Sequence, residues 1–321
     1  MAPFTRSTLG ALAATAFVAS AHASCGAAFC NVNTNWSLQG VWTAPGAHAD
    51  VRFEYIDQDQ PMTGTRKIDV GAVPAHHDEV RTINRNLLAT FDYGINEHWG
   101  ITAIVPIVDR SHEHIHNHHG AKLLETWHFT ELGDMRVQGR YQAYAGQPSA
   151  DRAGFGGVTF GLVLPTGATD ITNGEGSLAE RSLQPGTGTT QATLSAYYRE
   201  ALPIHNSSWY VQGAAQLPLN ESSGYKPGNV YALDAGYRYD VNDQLGLNLQ
   251  LNYVYKSRDK GEEAEPADSG GQTLSLAPGL TYAVTPAVQA YAFVAAPVYR
   301  HVNGVQLTAN WSAAVGMSME F

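Results

Sequence analysis

The sequence alternates apolar and polar residues with period two in stretch after stretch, and this restricts it to β-sheet. At the carboxyl end Ala309, Trp311, Ala313, Val315, Met317, Met319 and Phe321 interleave with Thr308, Asn310, Ser312, Ala314, Gly316, Ser318 and Glu320. Leu245, Leu247, Leu249, Leu251, Tyr253 and Tyr255 interleave with Gly246, Asn248, Gln250 and Asn252. Tyr231, Leu233, Ala235, Tyr237 and Tyr239 stand likewise opposite Asp234, Gly236, Arg238 and Asp240. Successive side chains of a strand point to opposite faces, so each segment carries one apolar and one polar face. Beyond residue 23 no uninterrupted apolar run reaches the ~20 residues of a membrane-spanning helix. The nearest, 283–299, is broken by Pro286 and Pro297.

A soluble β-sandwich also alternates, and three further features separate the two folds. The polar face holds Gly, Ser, Asn, Gln and single charges, the composition of a wet lumen. Aromatic residues crowd the segment ends, at Tyr197, Tyr198, Trp209, Tyr253, Tyr255, Tyr282 and Tyr299, and the last strand closes on Phe321. These are properties of strands that face lipid on one side and water on the other. The expected fold is all-β, a transmembrane antiparallel up-and-down β-barrel of roughly twelve strands. The strands fall near 49–56, 83–95, 98–106, 131–145, 154–165, 189–201, 207–217, 229–241, 244–256, 271–283, 287–301 and 305–321. Tight turns at 95–98, 204–206 and 241–244 alternate with longer polar segments at 57–82, 107–130, 168–188, 218–228 and 257–270. In outer-membrane barrels short turns are periplasmic and long loops extracellular, so both termini are expected in the periplasm. The connection 147–152 fits that alternation least well.

The address and the charge agree with this. Residues 1–23 hold Arg6, an apolar stretch from Leu9 to Ala19 and a closing Ala21-His22-Ala23, the three parts of a signal peptide; the apolar run is too short for a membrane anchor. The mature chain then starts at Ser24, with residues 24–48 as a periplasmic or lumen-plugging segment and 49–321 as the barrel. Its first residues hold Cys25 and Cys30, the two cysteines of the protein. In an exported chain so close a pair reads most simply as a small disulfide ring; a metal site would want more ligands nearby, and lipid modification of Cys25 a Leu where His22 stands. Only 15% of residues are charged, and 19 Lys and Arg against 29 Asp and Glu give a net −10. No basic surface is available to neutralise phosphates, so nucleic acid is not an expected partner. The expected partners are outer-membrane lipid and a small-molecule solute.

Two groups of residues bear on function. His112, His114, His116 and His118 share one side of an extended strand, where imidazoles could close on Zn²⁺, Cu²⁺ or Ni²⁺. His119, His128 and the segment His76-His77-Asp78-Glu79 lie in the same two neighbouring polar segments. The plainer reading of such a tract is polar loop that binds metal weakly. Arg52, Glu54, Asp92, Arg136, Arg140, Asp234, Arg238 and Asp240 fall on the polar strand faces, where they pair across the lumen or set the charge preference of a pore. Catalytic signatures do not emerge. There is no Gly-x-Ser-x-Gly elbow or phosphate-binding Gly loop, and Ser177 near Glu175 and Glu180 has no histidine close in sequence. An enzyme is not expected, and no cofactor is required.

The mature start, Ser24-Cys25-Gly26-Ala27-Ala28-Phe29-Cys30-Asn31-Val32-Asn33-Thr34-Asn35-Trp36, followed by alternating strands to Phe321, resembles the bacterial outer-membrane proteins grouped under a MetA pathway of phenol degradation. The resemblance implies an outer-membrane β-barrel and passage of small, often aromatic or apolar compounds. It carries over no ligand or catalytic residues, and the His-rich segment is not part of it. The reading is thus an outer-membrane channel or transporter for small molecules; the alternative is a barrel that anchors surface loops capturing a transition metal.

Overall fold

The computed structural model of the chain describes residues 32–42, 44–73, 78–118, 121–144, 149 and 152–321. The signal segment, Cys25, Cys30, His76, His77 and His119 lie outside the described residues. Among the described residues thirteen strands form one sheet: β1 (Gly46–Gly64), β2 (Arg66–Lys67), β3 (Asp78–Gly94), β4 (Trp99–His118), β5 (Ala121–Leu132), β6 (Met135–Tyr144), β7 (Ala153–Leu164), β8 (Gln191–Leu202), β9 (Ser207–Pro218), β10 (Val230–Asp240), β11 (Leu245–Lys256), β12 (Gly271–Thr285) and β13 (Val288–Glu320). Apart from the short β2 and β5, each pairs antiparallel with its neighbours in chain order, and β13 pairs with β1 to close the ring. A ring in which every pair is antiparallel needs an even number of staves. The last run supplies two of them: residues 288–302 pair with β12 and 302–320 with β1, reversing near Gly304, whose φ of +58° suits a glycine turn. Closure leaves the ring without an edge, as lipid requires.

Outward and inward faces divide as the alternation demands. Leu247, Leu249 and Leu251 are exposed on the outside, while Asn248, Gln250 and Asn252 between them are buried inside. Two aromatic girdles bound the apolar band. Trp99 and Tyr141 meet at 4.9 Å, and Tyr198 and Trp209 at 5.4 Å, at the end that carries the termini. Tyr55 and Trp311 at 5.7 Å, and Tyr231 and Tyr255 at 6.3 Å, mark the far end. Tyr231 and Tyr239 of one strand stand about 27 Å apart at the rise of an extended chain, enough for a tilted strand to cross the band.

The expected polar segments 57–82 and 107–130 prove to be largely strand. β1 runs on to Gly64, β3 begins at Asp78, and β4 and β5 form a hairpin paired from Ile107↔Leu132 to His118↔Ala121. Above the band the outward residues turn polar, as Asp57, Arg81, Arg85, Asp109 and Thr130, yet the backbone still pairs. Arg81 donates to Asp57 at 2.9 and 2.5 Å, and Arg85 to Asp109 at 2.9 Å. The hydrogen bonds from Arg81 hold the Asp57 carboxyl below its ordinary range.

Candidate functional site

Residues 32–42 cross the lumen near the end that carries the termini. Asn33 donates from its side chain to Gln212 (2.6 Å) and Asp234 (3.1 Å), and exchanges backbone bonds with the Gln250 amide at 2.9 Å each way. Trp36, fully buried, donates through Nε1 to Asp50 (3.0 Å), which also accepts from the Tyr291 hydroxyl (2.9 Å). Its ring meets Tyr291 edge-on at 4.7 Å. Trp42 donates to Ser318 at 2.8 Å, Leu38 packs against Tyr197 and Tyr210, and Arg52 donates to Thr34. One short turn therefore touches β1, β8, β9, β10, β11 and both staves of β13.

At the far mouth the segment between β7 and β8 folds inward. Asp134, between β5 and β6, accepts from the Gly167 amide (3.1 Å) and from the Thr187 amide and hydroxyl (2.8 Å each). Arg110 donates to the carbonyl of Leu183 and to Asn84, Trp127 Nε1 to the carbonyl of Ser177 at 3.0 Å, and Leu183 and Ala179 pack with Trp127 and Leu307. The expected outside loop thus spans the opening rather than projecting from it.

Beside residues 32–42 lies a cavity of about 340 Å³, bordered by Arg52, Asp92, Arg136, Gln138, Arg140 and Asp234. Of the charged residues expected on the lumen face, Arg52 pairs with Glu54 at 2.9 Å, and Asp92 accepts from Thr102 (2.6 Å) and Arg140 (3.4 Å), with His48 Nδ1 3.3 Å away. Arg136 donates to Gln216 at 2.9 Å. Arg238 and Asp240 pair at 2.7 Å, but at the rim rather than in the middle. The plug contacts at Asp50, Gln212 and Gln250 escaped the sequence reading; their signal was a polar residue at an inward position of an alternating strand.

The histidines separate by face. His112 and His114 are buried on the inner face of β4, His116 follows half-buried with its ring 6.5 Å from His114, and His118 ends the strand opposite Ala121. His128 faces outward from β5 and meets Ser111 at 3.0 Å, so it is not brought to the others. Two neighbours come instead from register. Glu79, His114 and Glu125 form one rung across β3, β4 and β5, and Thr82, His112 and Trp127 a second. A bulge between Glu79 and Arg81 turns Glu79 inward, where regular pairing would place Val80. Burial, with His114 and Arg110 nearby, pushes the His112 pKa down to about 3, so its imidazole is neutral.

This architecture is similar to that of a crystallised outer membrane channel from Pseudomonas putida F1, with a TM-score of 0.66 at 13% identity over 87% of this chain and 96% of that one. The NanC porin (TM-score 0.44, 11% identity) and the KdgM porin (0.43, 11%) each match 85% of this chain, over 100% and 99% of theirs. A comparison of the sequence with curated proteins finds no match. The family described as "Putative MetA-pathway of phenol degradation" matches residues 80–314, most of the barrel. The chain belongs to that family, and it folds as a bacterial outer-membrane β-barrel.

Proposed function

We propose that the protein is a channel for small molecules across the outer membrane, held closed here by residues 32–42 and by the inward segment between β7 and β8. The observation that carries this is the polar lumen inside a closed apolar ring. A barrel built only as an anchor has no need of a cavity lined by Arg52, Arg136 and Arg140 at its centre. The plug is held mainly by hydrogen bonds to lumen residues, which water can replace as it leaves. Its apolar contacts are concentrated on one wall, where Trp36 and Trp42 meet Tyr291 and Phe293. The solutes that suit this lumen are small, and the family description points to phenol-like aromatic compounds among them. The guanidinium groups can offer cation–π and hydrogen-bond contacts to a ring bearing a hydroxyl.

Conductance of the full chain in planar bilayers tests the reading. The native protein should show small or rare openings, and Trp36→Ala combined with Asn33→Ala should raise open probability and conductance. Bilayers that stay silent with both proteins, each inserted and folded, would overturn it. Surface metal capture by a projecting His loop is not the reading favoured here, because His112 and His114 are turned inward and buried.

A further inference from the structure

We infer that Glu79, His112 and His114 form an intra-barrel binding site for a single borderline transition cation of the Zn²⁺ class, with Glu125 and Thr82 orienting the two imidazoles. The site is independent of the channel reading and rests on geometry within β3, β4 and β5.

One potential ligand atom from each of Glu79, His112 and His114 lies within 4.8 Å of the other two. His112 Nε2 is 3.3 Å from His114 Nδ1 and 3.6 Å from Glu79 Oε2. A tetrahedral ion with bonds of roughly 2.0–2.1 Å separates its ligands by about 3.3–3.4 Å. The three groups therefore stand near coordination spacing already.

The outer partners assign each imidazole. The Glu125 carboxylate only accepts, so His114 Nε2, 3.0 Å away, carries the proton and Nδ1 presents its lone pair inward. The Thr82 hydroxyl meets His112 Nδ1 at 2.9 Å and leaves Nε2 facing the same point. Carboxylate–histidine and hydroxyl–histidine pairs of this kind fix the tautomer and ring orientation of metal ligands. Without metal, His112 Nε2–H donates to His114 Nδ1 and Thr82 donates to His112 Nδ1. On metal binding the His112 proton moves from Nε2 to Nδ1, and the Thr82 oxygen accepts it. Both imidazoles stay neutral and no proton is lost.

Charge and shape agree. Glu79 and Glu125 balance a divalent ion, two nitrogens and one oxygen suit Zn²⁺ better than Mg²⁺ or Ca²⁺, and a fourth position remains for water. Trp127, 5.7 Å from the His112 ring and 4.8 Å from that of His114, walls the cluster on the β5 side. The bulge that brings Glu79 inward has no evident use in closing the barrel, and it completes this set.

Zn²⁺ titrated into the full chain refolded in detergent, followed by calorimetry, tests the site, with Co²⁺ as a spectroscopic probe. One tight equivalent per chain is expected, and Co²⁺ should give the intense visible bands of tetrahedral coordination. Glu79→Gln, His112→Asn and His114→Asn should each abolish the tight equivalent, and Glu125→Gln should weaken it roughly 10–100-fold. Changing His116, His118, His119 and His128 together to Asn should leave it intact. Binding that survives the first three substitutions, disappears with the last four, or gives an octahedral Co²⁺ spectrum would overturn the assignment. Glu125→Gln lies outside the coordination sphere and keeps the test decisive if a ligand variant fails to fold.

Discussion

Gly236 lies directly beneath the Tyr210 ring and Gly279 beneath that of Phe293, each pair facing across adjacent strands on the inner wall. A Cβ at Gly236 would stand 2.2 Å from the Tyr210 ring, and one at Gly279 2.1 Å from Phe293. The glycines thus let large inward rings lie flat along the wall. Gly236→Ala should destabilise the barrel by about 1–3 kcal/mol through overpacking, read as a lower urea midpoint; an unchanged midpoint would mean the Tyr210 ring moves freely. The Asp57–Arg81 pair behaves differently. Arg81 lowers the Asp57 pKa, so its stabilisation is present above the unfolded carboxylate value of about 3.9 and fades as pH falls through the lower folded value. Arg81 is 46% exposed, so Arg81→Ala should cost no more than about 1 kcal/mol at neutral pH. The difference from the native protein should shrink below pH ~4 in urea melts, and a difference that grows on acidification would refute the assignment. At this scale His112 and His114 were legible as a strand face, because their spacing is local. Glu125 and Trp127 were not, since their approach depends on the β4–β5 register, which no spacing within one strand reveals.

Among the elements, the strands that face lipid were legible and the extensions above it were not. Period two marks a strand only where its two faces meet different solvents. Beyond the girdle Asp57, Arg85 and Asp109 face water outside while Gln58, Asn86 and Arg110 lie inside, so polarity no longer alternates although pairing continues. Residues 32–42 could be read only as part of a segment either periplasmic or lumen-plugging, because a turn held by side-chain bonds to five strands carries no period at all. The inward segment between β7 and β8 makes its own prediction. Asp134 accepts three of the bonds that anchor it, so Asp134→Ala should release its ends at Gly167 and Thr187. Limited proteolysis should then cut within 165–190 and bilayer conductance should rise, with the ring still intact on unheated gels. A resistant loop and unaltered conductance would show that Arg110 and the Trp127–Leu183 packing suffice to hold it.

For the whole molecule, closure has a consequence that the single strands lack. A ring whose backbone bonds all close on themselves opens only cooperatively, so the mature protein should fractionate with outer membranes and migrate faster on gels unheated than boiled. Orientation follows from the asymmetry of its two ends. The termini end joins strands by short links at 95–98, 203–206 and 241–244, while the far end carries 165–190, 219–229 and 257–270. In outer-membrane barrels long connections face the exterior, so the expected orientation has residues 32–42 on the periplasmic side and the Glu79–His112–His114 cluster toward the cell surface. Single cysteines introduced at Glu262 and at Asp243 discriminate the two orientations when intact cells are treated with a membrane-impermeant maleimide. Glu262→Cys should label on intact cells, and Asp243→Cys only after the outer membrane is permeabilised. The opposite pattern would invert the barrel, putting the plug at the surface and turning the cation site toward the periplasm, where a captured ion would come from inside the envelope.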